Sequence, residues 1–163
     1  MTKYTLEQFK KDVIQWSTDR LIIQNGSITG QLQKVREECA EVSAEIAKII
    51  EGNGCIDDLE KELGDIAVLL INIDFMQGSD SIYYFPEIEG PIDDYNEALM
   101  SLGEIFKSTV YTDNDYDYAW RRLLDCCESC SLDISVCAYK AFKKIEHRKG
   151  YFCKETMSFV KEV

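Results

Sequence analysis

Proline and glycine are scarce in this chain, with two and nine copies among 163 residues, and long spans contain neither. Little therefore interrupts helices, and the alternating patterns that mark strands are nearly missing. Histidine occurs once, as His147, with Lys144 rather than a glutamate three residues before it. That removes the Glu-x-x-His pairs that di-iron carboxylate bundles need. Positive charge is short as well: 18 Lys and Arg stand against 30 Asp and Glu, a net charge of −12, with no basic arm or stripe. Such a chain repels a nucleic-acid polymer, because phosphate-backbone affinity depends on clustered cations. No apolar run reaches the ~18 residues of a membrane span, and the polar start M-T-K-Y-T-L-E-Q does not resemble a signal peptide. A cytosolic (cytoplasmic) protein without a membrane partner is expected.

Cysteine is the exception to this scarcity, with seven copies. The odd total, and the helix-like apolar positions of Cys39, Cys126, Cys130 and Cys137, favour reduced thiols used as small core residues. Cys127 and Cys130 form one C-x-x-C, but no second pair accompanies it, and C-C-E-S-C sits within a helical pattern, so zinc or redox work is disfavoured.

The length suits one domain over residues 1–163 that buries its own core. Apolar residues at spacings of three and four predict helices over about Thr5–Ile23, Gln31–Glu51, Asp57–Met76, from Tyr95 past Phe106, Tyr116–Cys130 and Asp133–His147. Ser131 or Asp133 is the expected cap of the last. Between the third and fourth helices, 77–91 reads as an ordered loop with room for one short extended piece, and T-D-N-D-Y-D breaks the pattern near Asp113. The tail after R-K-G reads as a small hairpin-like appendage. The expected fold is all-α: an antiparallel bundle of about five or six helices with a short C-terminal appendage.

Carboxylates crowd two of these helices. R-E-E-C-A-E-V-S-A-E, residues 36–45, puts Glu38, Glu41 and Glu45 on one ridge beside the apolar stripe, with Lys34 one turn earlier. E-L-G-D puts Glu62 and Asp65 on a similar ridge of the next helix, flanked by Asp58 and Asn72. Either cluster alone reads as an ordinary solvated face, since glutamate is a strong helix former. Two clusters at the core-facing edges of adjacent helices instead predict an acidic pocket whose self-repulsion a divalent cation relieves. Oxygen ligands without histidine or cysteine suit Mg2+, with Mn2+ as a substitute, better than zinc or iron.

E-x-x-E at Glu38 and Glu41, then twenty intervening residues, then E-x-x-D at Glu62 and Asp65, resembles the signature of the all-α nucleoside triphosphate pyrophosphohydrolases. That superfamily includes the MazG-like proteins, the dimeric dUTPases, the dCTP pyrophosphatases and the phosphoribosyl-ATP pyrophosphohydrolases. K-V-R-E-E-C-A-E-V and K-E-L-G-D-I-A-V-L-L resemble its two motif helices. A-F-K-K-I-E-H-R-K-G resembles the terminal helix and turn of small, often phage-borne, MazG-like proteins. The resemblance covers about 13–76 and 132–153, and 77–131 departs from it as an inserted loop and helix pair.

The resemblance implies Mg2+-dependent hydrolysis of a ribo- or deoxynucleoside triphosphate to monophosphate and pyrophosphate, with Glu38, Glu41, Glu62 and Asp65 as metal ligands. Glu38 or Glu41 would be the base that takes a proton from the attacking water. Lys34, Lys144, Arg148 and Lys149 are phosphate candidates. Asn72 is placed to contact base or sugar, and Trp16 or a tyrosine of the 83–85 stretch to stack on the base. A homo-oligomer, dimer or tetramer, is implied, because the superfamily often completes its site with a neighbouring subunit. Two alternatives stay open: a different pyrophosphate-containing nucleotide, such as an alarmone or phosphoribosyl nucleotide, and a non-catalytic nucleotide-sensing module.

Overall fold

α1, Leu6–Asp19, starts where the Thr5 hydroxyl accepts a hydrogen bond from the Gln8 amide at 3.1 Å, and it buries Leu6, Phe9 and Val13. In this computed structural model, which describes residues 4–87, 90, 92–110 and 116–162, the helix ends earlier than the expected Ile23. Leu21 adopts a left-handed backbone with φ of 60°, and a single turn, α2 (Ile22–Asn25), follows. Tertiary bonds account for the break. The Arg20 carbonyl accepts from the Phe152 amide at 2.7 Å, and the Asn25 amide group donates to the Phe152 carbonyl at 2.9 Å. The segment thus serves the C-terminal strand instead of continuing its own helix.

α3 spans Ile28–Ile50 and begins three residues before the expected Gln31, because Ser27 supplies a cap by accepting from the Gly30 amide. α4 spans Ile56–Met76, with Asp57 and Asp58 in its first turn, where the helix dipole favours anions. It is the central helix, packing against α3, α7, α1 and α6 and burying residues on nearly every side. α3 and α4 run antiparallel, as their short connection predicts.

α5 (Tyr95–Ser108) and α6 (Asp117–Ser129) pair with each other, and α5 also rests on α3. The side chain of Arg36 secures that contact by donating to the Thr109 hydroxyl at 3.1 Å and carbonyl at 3.3 Å, at the C-terminal end of α5. α7 (Ile134–Ile145) is capped by Asp133, which accepts from the Ser135 amide, whereas Ser131 accepts from the amides of Ile92 and Asp93 in the preceding loop. The sequence break near Asp113 falls outside the described residues. Within 77–91 the described residues hold no strand; Asp74 anchors the loop's start by accepting from the hydroxyls of Ser79 and Ser81.

β1 (Gly150–Cys153) and β2 (Ser158–Lys161) form an antiparallel hairpin in which Tyr151 pairs with Val160 and Phe152 with Phe159. Gly150 has φ of +130°, and a β-carbon there would lie 2.1 Å from the Val160 carbonyl oxygen, so only glycine fits. The all-α expectation holds: among the described residues seven helices and one short hairpin account for the regular structure, six of the helices long and α2 a single turn. The buried apolar residues form one core cluster that draws on all of the long helices. All seven cysteines are free, and Cys39, Cys126, Cys127, Cys130 and Cys137 are buried in it. Hydrogen bonding to Cys137 and burial push the Cys127 thiol well up, and burial pushes Cys39 up to about 12, leaving both as inert packing groups. No helix among the described residues is long and apolar enough to cross a membrane.

Candidate functional site

Gly64, in the middle of E-L-G-D, explains how the two acidic ridges meet a third helix. A β-carbon there would lie 2.1 Å from the Cys137 carbonyl oxygen and 2.6 Å from the Ala141 side chain. The missing side chain lets α7 lie directly on α4, which brings Lys144 over Glu62 and Asp65.

Oxygens of Glu38, Glu41 and Glu62 lie within 4.8 Å of one another, although the first two come from α3 and the third from α4. Asp65 is turned toward α7, where its Oδ2 accepts from the Lys144 ammonium at 2.5 Å; Glu62 Oε1 lies 3.5 Å from the same nitrogen. One Oε2 of Glu38 and one of Glu62 are buried with no hydrogen-bond partner. Buried carboxylate oxygens are costly to leave unpaired, so these two mark a place where an electropositive group fits.

The charge balance leaves the same mark. Burial first, then the charges of Asp65, Glu41 and Glu62, raise Glu38 from an ordinary 4.5 to about 7, against the pull of Lys144. Burial and Glu62 raise Glu41. Burial also raises Asp65, opposed by its bond to Lys144 and by the charge of Arg148. Lys144 itself is raised: burial opposes its charge, but the bond to Asp65 and the charges of Asp65, Glu62 and Glu38 outweigh it. Lys144, with the charge of Arg148 reaching Asp65, stands against four carboxylates.

The remaining ridge residues separate from this cluster. Glu45 pairs with Lys48 at 2.5 Å, and Asp58 lies 3.4 Å from Lys61. Lys34 forms an ion pair with Glu37 on its own helix yet still lines the cleft described next.

From Glu38 and Asp65 a cleft of about 550 Å³ extends away over the surfaces of α3 and α4. Trp16, Lys34, Asn72 and Arg148 line it, so four of the substrate candidates converge there, and a further one, Lys144, sits at the carboxylate end. That volume falls in the range of small-molecule sites. Lys149 is exposed beside the hairpin and does not line the cleft.

Two expectations change. Tyr83 and Tyr84 do not reach the cleft: Tyr83 is largely exposed, and Tyr84 faces a separate hollow with Leu124 and Leu132 while its carbonyl accepts from the Trp120 indole. The stretch is drawn there because Phe85 stacks on Trp120 and approaches Phe9. Trp16 does line the cleft, but its ring is already stacked on Phe159 with centroids 6.3 Å apart, the Arg20 guanidinium lies 4.8 Å from its centre, and its indole donates to the Ile145 carbonyl. It fixes the hairpin to the bundle.

Sequence reasoning missed the hairpin wall, where Phe152, Met157, Ser158 and Phe159 close the side of the cleft opposite α3 and α4. It also missed Gln31, which lines the floor and accepts a hydrogen bond from Asn72 at 3.4 Å. Gln31 stands seven residues before Glu38, as Asn72 stands seven after Asp65, and that matched spacing was legible. The hairpin was legible as an appendage, but its place on the cleft had no such signal.

No family model, curated protein or solved structure matches the chain.

Proposed function

We propose that this protein is a Mg2+-dependent hydrolase of nucleoside triphosphates, deoxynucleotides above all, releasing a monophosphate and pyrophosphate and so adjusting or cleaning a nucleotide pool. The observation that carries the proposal is the meeting of four carboxylates, two with buried unpaired oxygens, at one end of a cleft that fits a nucleotide.

The donor set fits a hard divalent cation, since it consists of carboxylate oxygens only and carries more negative charge than Lys144 neutralises. Such an ion, held by Glu38, Glu41, Glu62 and Asp65, would neutralise the triphosphate and ease deprotonation of the attacking water. In the reaction water attacks the α-phosphorus, the bond from that phosphorus to the bridging oxygen breaks, and pyrophosphate leaves with the bond's electrons. Glu38 or Glu41, the two clustered carboxylates of α3, is the group that accepts the water's proton. Arg148 and Lys34, on the walls of the cleft, are placed to meet the phosphate oxygens. Lys144 is the internal counter-ion of Asp65 and, were Asp65 to hold an ion, would be free to face phosphate as well.

The test is pyrophosphate release from a panel of ribo- and deoxynucleoside triphosphates, with Mg2+ and with chelator, in wild type and Glu38→Gln. Release that requires both the metal and Glu38, falling by about a hundredfold or more in the variant, is the expected outcome. Metal-independent release, or equal release by Glu38→Gln, overturns the proposal.

A further inference from the structure

Asn72 is 2% exposed, lines the cleft floor, and its Oδ1 is buried without a hydrogen-bond partner. Its amide nitrogen is spent on Gln31 Oε1 at 3.4 Å, and Gln31, only 7% exposed, lines the same floor. The bond therefore leaves Asn72 Oδ1 without a hydrogen-bond partner among the described residues and engages the oxygen of Gln31, not its amide nitrogen. A buried carbonyl with no partner is costly, and a ligand carrying a donor recovers that cost.

Position says what kind of ligand. Gln31 and Glu38 are seven residues apart on α3, and Asp65 and Asn72 are seven apart on α4. Seven residues are almost two full turns, so on each helix the amide and the carboxylate share a face and lie about 10 Å apart along the axis. Because the helices are antiparallel, both amides fall at the same end. The floor of the cleft is thus two-ended, with carboxylates at one end and a donor–acceptor pair at the other. Val68 and Leu69 lie between, facing Phe152 and Phe159 across the cleft. A flat apolar body fits the middle.

We infer that Gln31 and Asn72 read the hydrogen-bonding edge of a nucleobase whose phosphates lie at the carboxylate end; the inference rests on the hydrolase proposal and specifies its substrate recognition. A sugar hydroxyl lies too close to the phosphates to span two helical turns, whereas the far edge of a base reaches. Each base carries adjacent donor and acceptor atoms on that edge, which is the pattern the pair complements. Inorganic pyrophosphate or triphosphate has no such edge.

The experiment replaces both amides by apolar groups of similar shape, Gln31→Met with Asn72→Leu, which leaves no buried polar group stranded and preserves the fold. Calorimetry then measures binding of deoxynucleoside monophosphates and of deoxyribose 5-phosphate, with no turnover required. Wild type is expected to bind at least one deoxynucleoside monophosphate more tightly than deoxyribose 5-phosphate by about tenfold or more, and the double variant to lose that gap while its melting temperature is equal or higher. In parallel, the ratio of kcat/KM for the best deoxynucleoside triphosphate to that for inorganic triphosphate is expected to collapse toward one. A gap that survives in the double variant overturns the inference, and so does a wild type that binds deoxyribose 5-phosphate equally well. Absence of hydrolysis in wild type, with the binding gap present and amide-dependent, would remove the hydrolase proposal and leave the recognition site standing.

Discussion

Two lysines one turn apart on α7 reach across to α4 and meet opposite circumstances. Lys140 bonds Asp57 at 2.7 Å and also pairs with Glu60, while Lys61 reaches Asp57 at 2.5 Å and Asp58 at 3.4 Å. Two lysines serve three carboxylates there, and the hydrogen bonds from Lys140 and then Lys61 hold the Asp57 carboxyl down at about 2. Four residues on, Lys144 bonds Asp65 and approaches Glu62, but Glu38 and Glu41 crowd in from α3, and Glu38, Glu41 and Asp65 are raised instead. The same residue type, on the same helix, makes a staple in one place and an under-neutralised site in the other. The difference is supplied by α3, which adds two carboxylates at the second place and none at the first.

The largest way to break this comparison is to part α4 from α7. Gly64→Val would force a side chain into the Cys137 carbonyl and Ala141, costing about 3 kcal/mol or more in denaturant melts and disturbing both lysine contacts. A variant as stable as wild type would show that the close approach is not needed.

Next come the lysines themselves. Lys144→Met, measured at pH 8 in chelator, is expected to cost about 2 kcal/mol, because it strands part-buried carboxylates with no cation, discounted for their partial exposure. Lys140→Met should cost much less, since Lys61 still serves Asp57 and solvent screens the rest. Adding Mg2+ should shrink the Lys144→Met loss and leave the Lys140→Met loss as it was. Equal losses, or no response to the ion, would erase the distinction between staple and site.

The smallest effect sharpens the contrast through pH. Glu38 holds its proton up to about 7 in the folded chain and to about its ordinary 4.5 when unfolded. Between those values the folded state binds more protons, so stability falls as pH rises through the window, and the penalty is fully present above it. Glu38→Gln does not titrate. In chelator it should flatten part of that slope and exceed wild type at pH 8 by about 1 kcal/mol, a figure reduced for solvent screening; Glu41 and Asp65, both raised, account for the remaining slope. Parallel pH curves for the two proteins would contradict the charge crowding described here.

The helices were legible because their information is local. Leu32, Val35, Cys39, Val42 and Ile46 recur at three and four, and all five are buried along α3. The larger misreading of a helix boundary, continuation of α1 to Ile23, failed where the determinant lay far away in the chain: the Phe152 amide donates to the Arg20 carbonyl, and no spacing near Arg20 announces it. The candidate site divides in the same way. That Glu38, Glu41, Glu62 and Asp65 lie on ridges beside the apolar stripe follows from helical period alone, and so does the placing of Asn72 on the Asp65 face. Tyr83 and Tyr84 looked equally suited to a base, but they sit elsewhere because the half-buried Phe85 stacks on Trp120 and takes the segment with it.

What the sequence determined by itself is therefore the set of faces: six long helices, their apolar stripes, the acidic ridges and a tail set apart from the helices by its turn and mixed polarity. What only the tertiary structure decided is which faces meet. Gly64 sets the depth at which α7 seats on α4. Asp65 turns to Lys144 while the three glutamates draw together. Gln31 finds Asn72 across forty-one positions of chain, and the hairpin folds over Trp16 to close the cleft. Period and propensity act over a few residues, whereas these contacts depend on how separate surfaces pack.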